Sequence, residues 1–561
     1  MAYKTIAASD AGTQTISVTL ETSPASAHPL VITRRVEGCE WRNWLLLAAL
    51  TGAYLAALAY FSPMPLQDLP THLARAVVMD DLIFHGGAHF SSLYRYEFAF
   101  IPYVLGDLLF ACSVEVLGPT AASIMWTLAV FLALPCSLLF YMKVAGLTRR
   151  GRPLVCLLAL YLATDWTFAM GFLSFRLGTA MTLATLGFAQ ALRNRCSPIL
   201  FAAYSTAVIS CYLMHLSTIL FLSTALSVTG LMRALKNRLM PRRVEYLLAL
   251  PLIALVLWNS LASGHYRAVG DLVENSYTWG APIVRKVTHL GILFFRYGNT
   301  GDIELLGAFI ACLALLLFSA NPKQLGSHKV RELFAQAIAF AVLYFALPSA
   351  YSDAMYVDVR ALPLATVFLV LTLVQLADTG PAVKLGVKSL PLPLAALVAV
   401  GNLVSLSTVW REENARLTSY RDIVGLIPTG ARVLPVHTGD RRSHVYPQLH
   451  AGSFITIDRF GLNPYEFTGD NGNPQKYFRF IDVPIAPEET WYGSKSHMAL
   501  KTQSLGCAYE YLMVMQPFSP DQITVPTTPV AGNATVSLLA VDKRRCQVGG
   551  AARSVLDKTD K

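Results

Sequence analysis

Long apolar segments recur along the chain between residues 44 and 409, and they restrict the possible folds more than any other feature. A helix needs about 20 mostly apolar residues to cross a bilayer, where every backbone polar group must be paired internally. Eleven segments approach that length: 44–61, 121–142, 154–169, 177–192, 199–213, 216–232, 246–261, 305–320, 333–347, 362–376 and 390–409. Only 14% of the residues are charged, against about a quarter in soluble domains. The sequence therefore predicts a polytopic α-helical membrane protein with about 11 transmembrane helices.

Basic residues between the apolar segments predict the orientation, because Lys and Arg accumulate in cytoplasmic loops. Arginines in residues 34–42 precede the first span, which places the N-terminus in the cytoplasm. Segment 98–117 is apolar, but Asp107 and Glu115 interrupt it. If this segment is an outer-surface or re-entrant helix, five basic loops all fall inside: 149–152, 193–195, 233–243, 323–331 and 384–388. The first loop and the C-terminal segment then lie outside.

Changes in composition indicate the domain boundaries. Residues 1–41, rich in Ser, Thr and Ala, are predicted as a disordered cytoplasmic tail. Residues 42–411 form the transmembrane module, with an outer loop at 63–120. Residues 412–545 contain short β-like runs separated by Gly, Pro, Asn and Asp turns, which indicates a soluble extracytoplasmic α/β or α+β domain. Residues 546–561 are predicted as a flexible tail.

The charge and cysteine patterns indicate neither a nucleic-acid-binding protein nor a zinc protein. The formal net charge of +10 comes largely from basic loops between apolar segments, and no nucleic-acid-binding signature accompanies it. The nine cysteines show no CxxC pair and no His/Cys spacing suited to zinc. Cys507 and Cys546 lie in the outer part of the chain, where an oxidising compartment would allow them to pair. The sequence leaves that pairing undecided.

Ionisable residues collect at the outer ends of the predicted spans, where a charge is costly and indicates function by default. Asp68 follows the first span closely, so its carboxylate can act as a base towards a hydroxyl held at the membrane surface. The structural alternative is that Asp68 caps an amphipathic surface helix. Predicted substrate-binding residues are His72, Arg75, Asp165, His215, His265, Arg267 and Arg360. Arginine binds phosphate oxygens bidentately, and Arg360 is chosen as the phosphate-binding residue from its position alone.

Four stretches resemble the multi-spanning GT-C glycosyltransferases, the bacterial members in particular. They are the loop QDLPTHLAR at 67–75, the helix 98–117 followed by GPTAA at 118–122, the break FAMGFLSF at 168–175, and the stretch 444–467. The resemblance implies an inverting, metal-assisted or metal-free transfer of a sugar from a polyprenyl-phosphate donor to a glycan, lipid or protein acceptor, at the outer face of a bacterial inner membrane. It maps the family's loop carboxylate onto Asp68 as general base, and an assisting metal would be divalent, Mg²⁺ or Mn²⁺. The loop departs from the family because no second acidic residue adjoins Asp68; Asp80 and Asp81 come later.

Other functions fit parts of the sequence. A lipid or sugar transporter or flippase would show paired halves and polar groups at mid-membrane, and neither is visible. A polysaccharide polymerase or ligase would place arginines in a large outer loop, which the segment 262–301 with Arg267, Arg285 and Arg296 partly provides. A non-catalytic scaffold would use the C-terminal segment to recruit partners.

Overall fold

The computed structural model describes residues 4–10, 13–19, 30–34, 40–236, 243–267, 277–278, 283–351, 354–378, 390–436, 445–468, 477–481, 483, 506–517, 523 and 525–548. The chain divides into two compact units, Met1–Ala53 and Tyr54–Lys561. In the first unit, strands β1 (Lys4–Asp10), β2 (Thr13–Thr19) and β3 (Leu30–Arg34) form an antiparallel sheet in that order. The disordered cytoplasmic tail at residues 1–41 stays a prediction. The segment TQTISVT contains five β-branched residues, a composition that favours a strand.

Helices occupy most of the described chain and contain most of each predicted apolar segment. The predicted segment 154–169 is an exception, because Thr164 and Asp165 divide it between two helices. The helices up to the C-terminal domain are α1 (Glu40–Tyr60), α2 (Leu69–Phe84), α3 (Val104–Val144), α4 (Arg152–Ala163), α5 (Trp166–Ala169), α6 (Leu173–Asn194), α7 (Pro198–Met214), α8 (Leu216–Lys236), α9 (Arg243–Arg267), α10 (Ile283–His289), α11 (Thr300–Phe318), α12 (His328–Ala346), α13 (Leu362–Asp378) and α14 (Pro391–Val424).

Six helical segments in the described ranges are individually long and apolar enough to cross a membrane: Trp41–Tyr60, Val104–Val144, Leu216–Lys236, Thr300–Phe318, Val359–Ala377 and Pro391–Val424. The chain is therefore an integral membrane protein. Helices such as α4, with 12 residues, are shorter than a spanning helix requires. The count of about 11 crossing helices stays a prediction.

Helix α3 contains a break between the segment that is predicted to lie on the membrane surface and the span predicted to follow it. Gly118 adopts φ 76° and ψ 162°, and Pro119 after it has no N–H to donate to the helical ladder. Trp126 Nε1 donates a hydrogen bond to Ser113 Oγ at 3.2 Å, so side chains on the two sides of the break contact each other. The break lies between the two segments that the sequence separates.

The other strands are β4 (Tyr94–Tyr96), β5 (Tyr277–Thr278), β6 (Ala350–Tyr351), β7 (Ala354–Met355), β8 (Val433–Val436), β9 (Phe478–Phe480), β10 (Tyr511–Met515), β11 (Thr527–Gly532) and β12 (Val536–Val541). The C-terminal sheet has the order β11-β12-β10-β8, in which β8 is parallel to β10 and the other pairs are antiparallel. Strand β4 of the first outer loop pairs with β9, which attaches that loop to the C-terminal part of the chain. Cys507 and Cys546 form a disulfide bond.

Helix α14 connects the apolar module to this sheet. Its 34 residues continue without interruption from the last apolar segment into polar sequence. The predicted boundary at residues 411 and 412 therefore falls inside a continuous helix. The domain bounds themselves stay predictions.

Candidate active site

Asp68 lies where the first outer loop enters α2. It occupies the N-cap position, but its side chain makes no capping hydrogen bond. Gln67 Nε2 donates to Asp68 Oδ1 at 3.3 Å, and His450 Nε2 lies 3.5 Å from the same oxygen. The residue is only 7% exposed. Asp68 therefore occupies the N-cap position without capping the helix through its side chain, and its catalytic role stays a prediction.

Gly171 brings the break at residues 168–175 against the first outer loop. The backbone N–H groups of Gln67 and Asp68 donate to the two carbonyl groups that precede Gly171, at 3.1 and 3.0 Å. Gly171 has φ +78°, and a Cβ atom there would lie 2.9 Å from Asp68 N. A side chain would be strained by the backbone and would collide with the loop. Two stretches identified separately in the sequence therefore form one surface at Asp68.

Asp165 caps the short helix α5, which leads into the segment 168–175. It is the N-cap of α5, and its Oδ1 accepts hydrogen bonds from Phe168 N at 3.2 Å and Thr167 Oγ1 at 2.6 Å. Its Oδ2 accepts from Arg176 Nη1 at 2.7 Å, while Arg176 Nη2 donates to the Leu162 carbonyl at 3.0 Å. These contacts compensate both charges inside the protein. They assign Asp165 a structural position, and its binding of substrate stays a prediction.

Arg75 is buried in a polar network further along α2. Its Nη2 donates to Asp107 Oδ1 at 2.7 Å and lies 2.9 Å from His72 Nδ1, and its Nη1 donates to the Phe467 carbonyl at 3.3 Å. Tyr477 OH donates to the other oxygen of Asp107. Arginine has only donors, so His72 Nδ1 accepts and the ring proton lies on Nε2. Burial, and then the charge of Arg75, lower the pKa of His72 well below its ordinary value, which keeps the imidazole neutral.

Two residues of the C-terminal domain complete the surroundings of Asp68. The imidazole of His450, beside the carboxylate, packs edge-on against Phe467, with ring centroids 5.0 Å apart. Tyr446 N–H donates to Gln67 Oε1 at 3.0 Å, and the same Gln67 amide donates to Asp68. The candidate site is therefore formed jointly by the first outer loop and the C-terminal domain.

Glu466 joins the C-terminal domain to α2. It is 1% exposed, and its carboxyl oxygens accept hydrogen bonds from Thr71, Ser453, Thr456 and Asn463 at distances of 2.8 to 3.1 Å. Thr71 belongs to the first turn of α2, and the other three donors belong to the domain. Burial raises the pKa of Glu466 to about 7, although the four hydrogen bonds lower it in part.

We expect the thermal stability of the detergent-solubilised protein to contain a pH-dependent contribution from Glu466. The pKa of this carboxyl is about 7 in the folded protein, against an ordinary value of 4.5 for a solvated glutamate, so the folded protein binds the extra proton. This contribution is fully present below pH 4.5 and is lost as the pH rises through 7, with a total change of roughly 3 kcal/mol. Glu466→Gln should reduce the fall in melting temperature between pH 5 and pH 8. An unchanged fall, or the same effect from the exposed control Glu510→Gln, would contradict the assignment.

Arg360 and His215 form a second polar pair beside the segment 168–175. Arg360 Nη1 lies 3.0 Å from His215 Nε2, and the guanidinium stands over the rings of Phe172 and Phe175 at 5.3 and 5.8 Å. The other ring nitrogen of His215, Nδ1, accepts a hydrogen bond from the Ser217 backbone N–H at 3.1 Å and lies 2.9 Å from Ser217 Oγ. This arrangement holds a cation next to the same break that contacts the Asp68 backbone.

The segment 168–175 connects the two groups of residues, because Gly171 contacts the Asp68 backbone while Phe172 and Phe175 lie under the Arg360 guanidinium. Burial, and then the charge of Arg360, lower the pKa of His215 well below its ordinary value. The predicted residues that the structure brings together are Asp68, His72, Arg75, His215 and Arg360. His265 and Arg267 lie at the end of α9, where the backbone is described but the side chains lie outside the described residues.

Two cavities of about 370 and 460 Å³ lie away from this surface. Neither is lined by any of the predicted site residues. Arg233, Lys236, His328 and Lys329, which the predicted topology places on the cytoplasmic side, line the first.

Metal dependence, which the resemblance leaves open, stays a prediction. The described neighbours of the Asp68 carboxylate include the Gln67 amide and the His450 imidazole. In the part of the chain that the structure describes, the His, Asp and Glu side chains close enough together to hold a metal are Asp80, His85 and Glu115, a group that does not include Asp68.

Several residues that shape the site are not evident from the sequence. In the sequence, Asp107 is visible only as an acidic residue that interrupts an apolar segment. A charge in such a helix requires a partner, but the sequence does not identify Arg75 as that partner. His450 and Glu466 fall in the stretch 444–467, but their residue types do not distinguish them from ordinary surface residues. Their importance arises from contacts between distant parts of the chain, which no local pattern reveals.

The architecture confirms the predicted fold class, a polytopic helical membrane protein whose C-terminal part contains small sheets. ArnT from Cupriavidus metallidurans in the apo state, a GT-C glycosyltransferase, shares this fold, with a TM-score of 0.51 and 14% sequence identity over 90% of this chain and 99% of that chain. ArnT from the same organism bound to undecaprenyl phosphate aligns with a TM-score of 0.49 and 14% identity, over 89% of this chain and 98% of that chain. No family model and no curated protein matches the sequence.

Proposed function

We propose that this protein is a membrane glycosyltransferase that moves a sugar from a polyprenyl-phosphate donor to an acceptor hydroxyl at the extracytoplasmic face. The observation that carries the proposal is the position of Asp68. Asp68 is a nearly buried carboxylate at the start of α2, and its side chain does not cap that helix. It lies beside the His450 imidazole, and its backbone packs against Gly171 in the segment 168–175. The shared fold with ArnT supports the class of enzyme.

In this mechanism Asp68 acts as general base. One carboxylate oxygen accepts the proton of the acceptor hydroxyl while the hydroxyl oxygen attacks the anomeric carbon of the donor. The bond between that carbon and the phosphate oxygen breaks, and its electron pair leaves with the polyprenyl phosphate. Attack opposite the leaving group inverts the anomeric configuration. His450, held against Phe467, is a positioning residue that orients the carboxylate.

Arg360 is assigned to the phosphate of the donor. Its guanidinium presents a planar fork of donors that matches phosphate oxygens, and two aromatic rings hold it beside the break. Negative charge grows on the phosphate as the glycosidic bond breaks, so a fixed cation there stabilises the transition state more than the ground state. Arg75, by contrast, is compensated by Asp107 and is assigned to holding α2 in place.

The proposed location is the bacterial inner membrane, with the N-terminus in the cytoplasm and the C-terminal domain in the periplasm. The Cys507–Cys546 disulfide supports this orientation, because disulfide bonds persist in oxidising compartments. The polyprenyl chain of the donor would lie in the bilayer while its phosphate reaches the outer surface. The acceptor is a hydroxyl group of a glycan, a lipid or a protein.

The alternatives receive less support from the contacts. A polymerase or ligase would use arginines of the large outer loop, but Arg296 is 1% exposed and paired with Asp302 and Asn402, which gives it a structural role. A transporter or flippase is distinguished by experiment. Protein reconstituted in vesicles with a labelled polyprenyl-phosphate sugar should release polyprenyl phosphate and form a glycosylated acceptor. Movement of intact donor without bond cleavage would instead indicate transport.

Replacing Arg360 should weaken binding of the donor. We expect Arg360→Ala to raise the KM for the polyprenyl-phosphate sugar and to lower kcat, because both the bound and the departing phosphate lose a charged partner. Arg360→Lys keeps the positive charge but loses the planar guanidinium that binds phosphate through two hydrogen bonds. It should therefore be more active than Arg360→Ala and less active than the wild type. Steady-state kinetics with a defined donor measure both effects. The exposed Arg285→Ala is the control, and unchanged kinetics in Arg360→Ala would remove this residue from the site.

A further inference from the structure

Asp80, His85 and Glu115 bring three possible metal-ligand atoms together at the end of α2. These atoms lie within 4.8 Å of one another. His85 Nε2 is 2.8 Å from Glu115 Oε2 and 3.6 Å from Asp80 Oδ2. Asp80 is in the last turns of α2, His85 is its C-cap, and Glu115 lies in α3 shortly before the break at Gly118.

Two observations favour a cation over a simple ion pair in this cluster. Asp80 Oδ1 is buried and has no hydrogen-bond partner, so one carboxylate oxygen lacks any donor. The ligand oxygens of Asp80 and Glu115 also lie within 4.8 Å of each other, and His85 Nε2 approaches both carboxyl groups. A single imidazole N–H cannot donate to every oxygen of two carboxyl groups, whereas a metal ion can bind one oxygen from each.

The turn that carries His85 is held independently of the cluster. Asp81 accepts backbone hydrogen bonds from His89 and Phe90 at 3.0 to 3.3 Å, and its carbonyl accepts from the His85 and Gly87 backbone N–H groups. Asp81 is 4% exposed. The adjacent acidic residues thus have separate roles: Asp81 fixes the turn, and Asp80 points into the cluster.

We propose that Asp80, His85 and Glu115 bind a divalent transition-metal ion, preferably Zn²⁺, which connects α2 to α3. One imidazole and two carboxylates are ligands that Zn²⁺ accepts in tetrahedral sites, with water at the fourth position. Mg²⁺ is disfavoured because it rarely takes nitrogen ligands. Asp80 is twelve positions after Asp68, about 18 Å along the helix, so this ion is structural and lies outside the proposed transfer chemistry. The inference does not depend on the proposed function.

The test uses the full-length protein in detergent, without a histidine tag and stripped of metal by chelation. Titration with Zn²⁺ against a fluorescent chelator should show one equivalent bound, and binding should raise the melting temperature. Replacing Zn²⁺ with Co²⁺ should give visible absorption bands typical of a tetrahedral site. His85→Ala and Glu115→Gln should each lower Zn²⁺ affinity at least tenfold. His89→Ala, an exposed histidine of the same turn outside the cluster, should bind as the wild type does.

Melting temperatures of the metal-free variants verify that they are folded. If metal-free His85→Ala is unstable, Glu115→Gln alone provides the comparison, since its shape is conserved. Less than one equivalent of Zn²⁺, affinity unchanged in Glu115→Gln, or equal loss in His89→Ala would each overturn the proposal. Equal affinity for Mg²⁺ would overturn the assignment to a transition metal.

Discussion

The Asp68→Asn protein should transfer sugar roughly 10²- to 10⁴-fold more slowly than the wild type, with kcat carrying most of the loss. Asparagine keeps the size and shape of the side chain but cannot accept the proton of the acceptor hydroxyl. Because Asp68 makes no capping hydrogen bond, its replacement should leave the start of α2 intact. Expression and the melting temperature in detergent should therefore stay near wild-type values. Transfer from a defined polyprenyl-phosphate sugar, followed by mass analysis of the product, measures the effect.

Two comparison variants make this result specific. Asp422→Asn changes a carboxylate of α14 in the same conservative way and should retain full activity. His450→Gln removes the imidazole beside Asp68 but leaves the base, so it should lower kcat by a smaller factor and displace the acid limb of the pH–rate profile. Transfer by Asp68→Asn at the wild-type rate would show that the base assignment is wrong. An unchanged pH profile in His450→Gln would indicate a merely structural role for His450.

The second large effect is expected at the ion pair between Arg75 and Asp107. Their side chains are 1% and 5% exposed, and the guanidinium also holds His72 and the Phe467 carbonyl. Arg75→Met leaves the Asp107 carboxylate buried without its cation, which costs about 3–5 kcal/mol in comparable buried pairs. We expect a large fall in the melting temperature and partial loss of the contact between α2 and the C-terminal domain. Thermal unfolding and limited proteolysis of the domain measure the two effects.

A double variant separates loss of charge pairing from loss of packing. Arg75→Met combined with Asp107→Leu removes both charges, so it should be more stable than Arg75→Met alone. The Tyr477 hydroxyl then loses its acceptor, which limits the recovery. The more exposed pair Arg416 and Glu413 provides the comparison, and Arg416→Met should change the melting temperature little. A melting temperature of Arg75→Met equal to that of the wild type would refute the assigned role.

Some of the candidate residues can be identified from the sequence, but their partners cannot. The sequence identifies Asp68 as a candidate because it follows the first apolar segment closely, which predicts a position near the membrane surface. The break at 168–175 is identifiable from its similarity to related membrane proteins, and the structure places it against Asp68 through Gly171. Arg75 and Asp165 are expected from the sequence to bind substrate, since a charge near a span indicates function. The structure pairs each with a buried opposite charge, Asp107 or Arg176.

Hydrophobicity, segment length and basic loops act locally, so they can be read along the chain and are sufficient to predict a helical membrane protein with an acidic first loop. The partners of its ionisable groups, in contrast, are visible only in the folded protein. Asp68 meets His450, and Thr71 meets Glu466, across hundreds of intervening residues. The state of a buried charge depends on its nearest partners in space, and those partners exist only after the first outer loop and the C-terminal domain have packed together.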